Sequence, residues 1–209
     1  MKVLLLILTG MLGFAISPLQ AGLLVNPDFE TGDLTGWTYF TTNGGDVNPP
    51  NVISFQTNVT TSLAAHFDVS KISSFYSFGG GGIYQDVVLG NGTVNLGVDW
   101  ASTSTVGNAD GGLFQLLLDG NVIDSFDVGA ITTTPVRGTL SGSAIVTAGT
   151  HQVSVQITRS FTFTNTSAQY LDNFSISGDA TTASPEPSTM VLTAGVMLAA
   201  FMRRRGGKN

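Results

Sequence analysis

The most constraining feature of this sequence is a two-residue alternation of apolar and polar side chains between residues 22 and 179. The segment "TVNLGVDW" places its apolar residues on one side of an extended chain: Val94, Leu96, Val98 and Trp100. The same period returns in "HQVSVQIT" and in "YLDNFSIS", and no stretch before Pro187 has helical periodicity. A period of two is that of a half-buried β-strand, so these segments predict sheets rather than helices.

Turn residues separate the predicted strands. The segment "GLFQLLLDGNVIDSF" has two apolar runs around an Asp-Gly pair, which predicts a hairpin. The chain contains 26 glycines, with many Thr, Ser and Asn residues at turn positions. We predict an all-β body, an antiparallel β-sandwich of jelly-roll type. The run "FGGGG" is expected to be a tight or mobile loop before a strand at "IYQDVVL".

The first 21 residues predict export. Lys2 is followed by a short apolar run and by "SPLQA", the layout of a signal peptide cleaved after Ala21. A permanent N-terminal anchor is the alternative, but it requires about 20 apolar residues. Export would permit disulfides, yet the chain contains no cysteine. Cysteine zinc sites and thiol chemistry are therefore excluded.

Charge is divided sharply along the chain. Between Gly22 and Ser184 there are thirteen acidic and three basic residues, a net charge of −10, whereas Arg203, Arg204, Arg205 and Lys208 crowd the end. An acidic exported body repels phosphate backbones, so no nucleic-acid partner is expected.

The C-terminal 30 residues have three parts. Residues 180–188 form a predicted linker containing Pro185, Glu186 and Pro187, and residues 189–209 form a short transmembrane helix with a basic tail. The apolar run Thr189–Met202 would reach about 21 Å as a helix, against about 30 Å of hydrocarbon. Such a span predicts transient anchoring in the inner membrane with the arginines in the cytoplasm, and an ordinary tail anchor on a proline-rich stalk is the alternative.

This layout resembles the PEP-CTERM sorting signal. The resemblance covers the last 25 or so residues: the Pro-Glu-Pro box, the short apolar run and Arg203, Arg204 and Arg205. It implies recognition and cleavage by an exosortase, a membrane processing enzyme of Gram-negative bacteria. It also implies a final location at the cell surface or in the extracellular matrix, in association with exopolysaccharide and biofilm.

A second resemblance covers most of residues 23–177. The segments "LLVNPDFETGDLTGW", "GGGIYQDVVLGNGTVNLGVDW" and "YLDNFSIS" are similar to parts of galactose-binding-like jelly rolls, including carbohydrate-binding modules. The resemblance implies a structural calcium ion held by Glu30 and Asp172 with nearby backbone carbonyls, and calcium does prefer such oxygens. The alternative is that these residues are caps and turn formers.

Sugar binding requires exposed aromatic rings beside polar partners. The candidates are Tyr39, Phe40, Phe75, Tyr76, Phe78 and Tyr84. Trp37 and Trp100 are expected to belong to the core instead. No pattern around His66 or His151 marks a nucleophile or a metal site, and no catalytic residue is predicted.

Three functions therefore remain. The first is a noncatalytic surface or matrix protein processed by an exosortase, the second is a calcium-dependent carbohydrate-binding module with a defined glycan specificity, and the third is a secreted polysaccharide hydrolase.

Overall fold

The computed structural model describes residues 23–160 and 166–181. Its strands, numbered along the chain, are β1 Thr38–Thr41, β2 Gly45–Val47, β3 Asn51–Gln56, β4 Thr61–Phe67, β5 Val69–Lys71, β6 Gly79–Leu89, β7 Gly92–Ser104, β8 Ala109–Asp110, β9 Leu113–Leu118, β10 Asn121–Asp127, β11 Ala130–Ile131, β12 Val136–Val146, β13 Gly149–Arg159 and β14 Ser167–Ser177. A short 3₁₀ helix, Asp179–Thr181, ends the described chain.

Two five-stranded antiparallel sheets face each other. Sheet 1 has the order β1-β6-β13-β9-β10, and sheet 2 has the order β12-β7-β14-β4-β3. Successive long strands such as β6 and β7 lie in different sheets, and small ribbons β2-β5 and β8-β11 border the sandwich. The predicted all-β jelly-roll sandwich is confirmed.

The core lies between the inner faces of the sheets. Val94, Leu96, Val98 and Trp100 of β7 point into it, as the alternation predicts, and oppose Phe114 and Leu116 of β9. One face of each strand therefore remains outside the core. These two outer faces are where functional side chains can lie.

The sandwich has two distinct ends. The base carries the β6–β7, β9–β10 and β12–β13 turns together with the 3₁₀ helix, since the N–H of Gly90 donates to the carbonyl of Ala180. The apex carries the loop Ile72–Phe78, the β7–β8 turn and the β10–β11 turn. Ala180 is buried against the core, so the 3₁₀ helix packs onto the sandwich at the base.

Several sequence predictions fall outside the described residues. They concern the signal peptide at 1–21, Pro185, Glu186 and Pro187, the apolar run Thr189–Met202, and Arg203, Arg204 and Arg205. In ranges 23–160 and 166–181, no helix is long and apolar enough to cross a membrane.

Candidate functional site

The outer face of sheet 1 presents a surface that crosses all five strands. Its central row follows the cross-strand register through Phe40, Gly82, Gln156, Gln115 and Ser125. Register partners share a face, whereas Ile83 and Val155 on the same strands point into the core. We call this surface the trough face.

Glycine forms the floor of the trough. A Cβ atom at Gly82 would lie 1.8 Å from the carbonyl oxygen of Val155, and one at Gly80 would lie 2.1 Å from that of Ile157. Both distances are far inside van der Waals contact, so these positions accept only glycine. The expectation of a glycine loop is wrong: Gly79, Gly80, Gly81 and Gly82 begin strand β6. The close approach of β13 holds them in the sheet.

Aromatic rings form one wall. Phe40 on β1 and Tyr84 on β6 are both half-buried, and their ring centroids are 6.3 Å apart with planes inclined by 49°. Gly82 has no side chain and is buried, and it separates Phe40 from Gln156 by two strand spacings, or about 10 Å. The rings therefore border the glycine position on one side.

Two glutamines form the opposite wall. The side-chain amide of Gln156 donates to Oε1 of Gln115 at 3.1 Å, which fixes both amides across strands β13 and β9. Among the described residues, Nε2 of Gln115 and Oε1 of Gln156 have no further partner, so the pair presents one donor and one acceptor. Sequence reasoning missed both residues. Their polar positions within "LFQLLL" and "HQVSVQIT" are the pattern that could have revealed them.

The trough ends at the apex in a cavity of about 340 Å³. Leu113 and Thr158 are register partners, each two residues from Gln115 or Gln156 along its strand, and both line the cavity. Its described lining consists of Phe78, Asn108, Ala109, Asp110, Leu113, Asp127, Gly129, Ala130, Thr158 and Ser160. This volume lies at the lower end of the range for small-molecule sites.

The two carboxylates of the cavity are held differently. Asp110 accepts bonds from the N–H of Gly112 and from both the N–H and the hydroxyl of Ser160. Asp127 accepts one bond, from the N–H of Gly129 to Oδ1, and its Oδ2 is free of described partners. Asp127 can therefore accept a hydrogen bond from a ligand.

The six predicted aromatic candidates lie in four places. Phe40 and Tyr84 meet on the trough face, and Phe78, 60% exposed, lines the cavity. Phe75 is 90% exposed at the tip of the apex loop, where its ring meets that of Tyr76 edge-on. Tyr39 is the register partner of the core residue Ile83 and so does not share the trough face.

Both tryptophans are buried, which confirms their assignment to the core. Trp37 lies 4.3 Å from the ring of Phe174 and donates from Nε1 to the carbonyl of Asn26. Trp100 stacks on Phe114 at 4.8 Å. Neither tryptophan is available to a ligand.

The outer face of sheet 2 holds a buried acidic pair that the sequence did not indicate. Asp99 and Asp172 are cross-strand partners on β7 and β14. Asp172 is fully buried and accepts bonds from the hydroxyls of Thr57 and Ser62 and from the N–H of Asn173. Burial raises the pKa of Asp172 against the effect of these bonds, and the charge of Asp99 raises it further.

The predicted calcium ligands, Glu30 and Asp172, bond to neighbouring residues of strand β4. Glu30 is exposed and accepts from the N–H of Leu63, next to the Ser62 that binds Asp172. Carboxylates suit calcium, but the described residues contain no group of three or more acidic or histidine side chains placed to hold a metal. Calcium therefore stays a prediction, and backbone carbonyls would have to supply most of its ligands.

The histidines have structural partners. His151 contacts Asp119 Oδ2 at 2.7 Å through Nδ1 and the carbonyl of Thr147 at 2.8 Å through Nε2. The hydrogen bond that His151 donates to the Asp119 carboxylate raises the pKa of His151. His66 contacts Asn51 and lies 3.6 Å from Asp68. These contacts fix the orientation of both imidazoles.

Comparisons with known proteins identify the fold. No protein-family model and no curated protein matches the chain. An arabinose-bound α-L-arabinofuranosidase, MgGH51, matches with a TM-score of 0.51 and 17% identity over 75% of this chain and 26% of the enzyme.

Two further solved structures are similar at lower TM-scores. The carbohydrate-binding module TmCBM61, in complex with β-1,4-galactotriose, has a TM-score of 0.48 and 17% identity, covering 76% of this chain and 99% of the module. The CBM22-1–GH10 modules of Clostridium thermocellum xylanase 10B, complexed with xylohexaose, have a TM-score of 0.49 and 13% identity over 75% of this chain and 28% of that protein.

These similarities concern architecture. The chain spans about a quarter of the length of each of the two enzymes and nearly the whole of the isolated module. The jelly-roll β-sandwich itself follows from the strand order of the two sheets, and the match to MgGH51 agrees with it. At these identities the ligand has to be argued from the trough face itself.

Proposed function

We propose that this chain is an exported, noncatalytic glycan-binding protein whose ligand lies in the trough face. The observation that carries the proposal is the row Phe40, Gly82, Gln156 and Gln115: an aromatic wall, a floor without side chains and a fixed amide pair. Aromatic faces stack on the apolar side of a sugar ring while amides bind its hydroxyl groups.

Each part of the row has a separate role in this proposal. Gly82 adds no side chain between Phe40 and Gln156, and the half-buried ring of Phe40 supplies an apolar contact. The glutamines are neutral and already oriented by their mutual bond, so little side-chain entropy is lost on binding. Strands rather than loops carry these groups, which keeps the spacing fixed.

Isothermal titration with neutral oligosaccharides tests the proposal. We expect Phe40→Ala to weaken binding about tenfold, the loss of roughly one aromatic contact, and Gln156→Ala to weaken it by a similar factor. Tyr39→Ala is the matched control, because Tyr39 is the neighbouring exposed aromatic off the trough face. Unchanged affinity in Phe40→Ala and Gln156→Ala would place the ligand elsewhere.

We also propose that an exosortase sorts and cleaves the precursor. The supporting observation is the ordered set of Pro185, Glu186 and Pro187, the fourteen-residue apolar run, and the arginine triplet. The described chain ends at the base, so a tether there would leave the apex cavity at the end of the body opposite the tether.

Intact mass tests the sorting proposal in a host with an exosortase. Wild-type protein should be recovered ending near residues 184–187, and Glu186→Ala should retain the tail. A wild-type species that keeps the arginine triplet would make the protein tail-anchored and refute sorting.

The hydrolase alternative makes a different prediction. Two carboxylates, Asp110 and Asp127, line the cavity, which is the minimum that a glycosidase requires. Asp110 is engaged by three donors from Gly112 and Ser160, an arrangement that suits a structural carboxylate. Incubation with bound polymers should release no new reducing ends, and release that depends on Asp127 would establish an enzyme.

A further inference from the structure

We propose that the trough and its cavity select glycans by charge, binding amine-bearing sugar units best, neutral units next and acidic sugars least. This inference rests on the proposed glycan-binding function and adds the chemical class of the ligand. It depends on which charged side chains surround the cavity and on which of their atoms are already occupied.

No cation lines the described part of the site. The lining residues of the cavity include Asp110 and Asp127 but no Lys, Arg or His, and the polar residues of the central trough row are neutral. The described body carries three cations: Lys71 donates to the carbonyl of Ser77, Arg137 to that of Gln56 on sheet 2, and Arg159 is buried. A sugar carboxylate in this cavity would therefore face two carboxylates, while Lys71 and Arg159 are already engaged by backbone carbonyls.

Asp127 is the residue that decides the preference. Asp110 has three neutral donors around its carboxylate, and Arg159 donates from Nε to the backbone oxygen of Asp110 at 2.8 Å. Asp127 is exposed, keeps Oδ2 available and has no basic partner among the described residues. Its charge is therefore free to act on a ligand.

An aromatic ring completes the arrangement. Phe78 is 60% exposed and lines the same cavity as Asp127. An aromatic ring and a carboxylate that line one cavity both favour an ammonium group, because the quadrupole of the ring and the negative charge act in the same direction. A sugar hydroxyl can also donate to Asp127, so a neutral unit binds but gains less.

The test compares three oligosaccharides of equal length by titration calorimetry: a β-1,4-linked glucosamine oligomer at a pH where its amines are protonated, its fully N-acetylated counterpart, and an oligogalacturonate. We expect the amine oligomer to bind about fivefold more tightly than the acetylated one, the factor that one ion pair gives in water at about 4 Å. The oligogalacturonate should bind most weakly, and raising the salt concentration should reduce the spread.

Asp127→Asn is the diagnostic variant. An Asn side chain keeps the acceptor for the N–H of Gly129, so the turn stays intact. This variant should lose the fivefold preference, so that the amine oligomer and the acetylated oligomer bind with equal affinity. Asp28→Asn, which removes one exposed carboxylate elsewhere, is the charge-matched control and should retain the preference.

The possible failures are distinguishable. If none of the three oligosaccharides binds, the proposed function fails and the charge inference fails with it. If the neutral oligomer binds but the oligogalacturonate binds equally well or better, or if Asp127→Asn keeps the amine preference, the charge inference alone is overturned.

Discussion

Replacing Asp172 should show how much stability one buried carboxylate contributes as a hydrogen-bond acceptor. In Asp172→Ala, the hydroxyls of Thr57 and Ser62 and the N–H of Asn173 lose their common acceptor. At about 1 kcal/mol for each bond, the loss is about 3 kcal/mol. That is a large share of the 5–15 kcal/mol that ordinarily stabilises a domain, and it corresponds to a fall in Tm of roughly 6–12 °C.

Asp172→Asn separates the acceptor role from the charge. Its carbonyl oxygen can still accept from Asn173, and the substitution removes both the burial of a charge and the repulsion from Asp99. The loss should be below about 1 kcal/mol. Urea unfolding of wild type and both variants measures these values. Equal losses in the two variants, or a loss below about 1 kcal/mol in the alanine variant, would refute the acceptor role.

The pH dependence of the stability of wild type and Asp172→Asn provides a second test. The pKa of Asp172 is raised in the folded state, from an ordinary value of 3.8. The stability that its protonated form contributes is therefore fully present below about pH 3.8 and is lost as the pH rises through the raised pKa. Wild type should lose stability relative to Asp172→Asn over that interval. A flat difference would contradict the burial of the charge.

Three further predictions concern other parts of the body. His151→Gln should lower the free energy of unfolding by about 1 kcal/mol at acidic to neutral pH. Because the pKa of His151 is raised above 6.5, the stability that its charged form contributes is complete below pH 6.5 and is lost as the pH rises through the folded-state pKa. The difference in Tm between wild type and this variant should therefore close at high pH. Gly82→Ala should cost more than about 2 kcal/mol or prevent folding, since its Cβ would meet the Val155 carbonyl, whereas Gly107→Ala, with no atom within 4 Å, should be neutral in urea unfolding. Calcium should raise the Tm of chelator-treated protein and Glu30→Gln should reduce that shift; an unchanged Tm for wild type would exclude the ion.

Most of the fold could be predicted from the alternation of apolar and polar residues, because that alternation shows which side chains of a strand are buried. Val94, Leu96, Val98 and Trp100 have to share a face in any extended chain, and the structure places that face in the core. The glycine run could not be read in this way, because residues without side chains have no alternation. Only the approach of β13, visible in three dimensions, explains why Gly82 belongs to a strand.

The candidate site depends on contacts between distant parts of the chain. Phe40, Tyr84 and Phe78 could be named from the sequence as aromatic candidates, but their grouping follows from the register of β1 and from the apex loop. The pairing of Asp172 with Asp99 follows from the register of β14 with β7, which shifts directly after Asp172 at Asn173, where φ is 51°. Neither the cross-strand register nor this bulge has a local sequence pattern that specifies it.

Glycan binding in the trough face is tested most directly by an NMR titration of the folded body with a neutral oligosaccharide, following the side-chain amides of Gln115 and Gln156 and the ring of Phe40. We expect these resonances to shift together, with one affinity, while those of Asn58 and Asn173 on the outer face of sheet 2 stay in place. Shifts confined to sheet 2, or no shift at any ligand concentration, would contradict glycan binding in the trough.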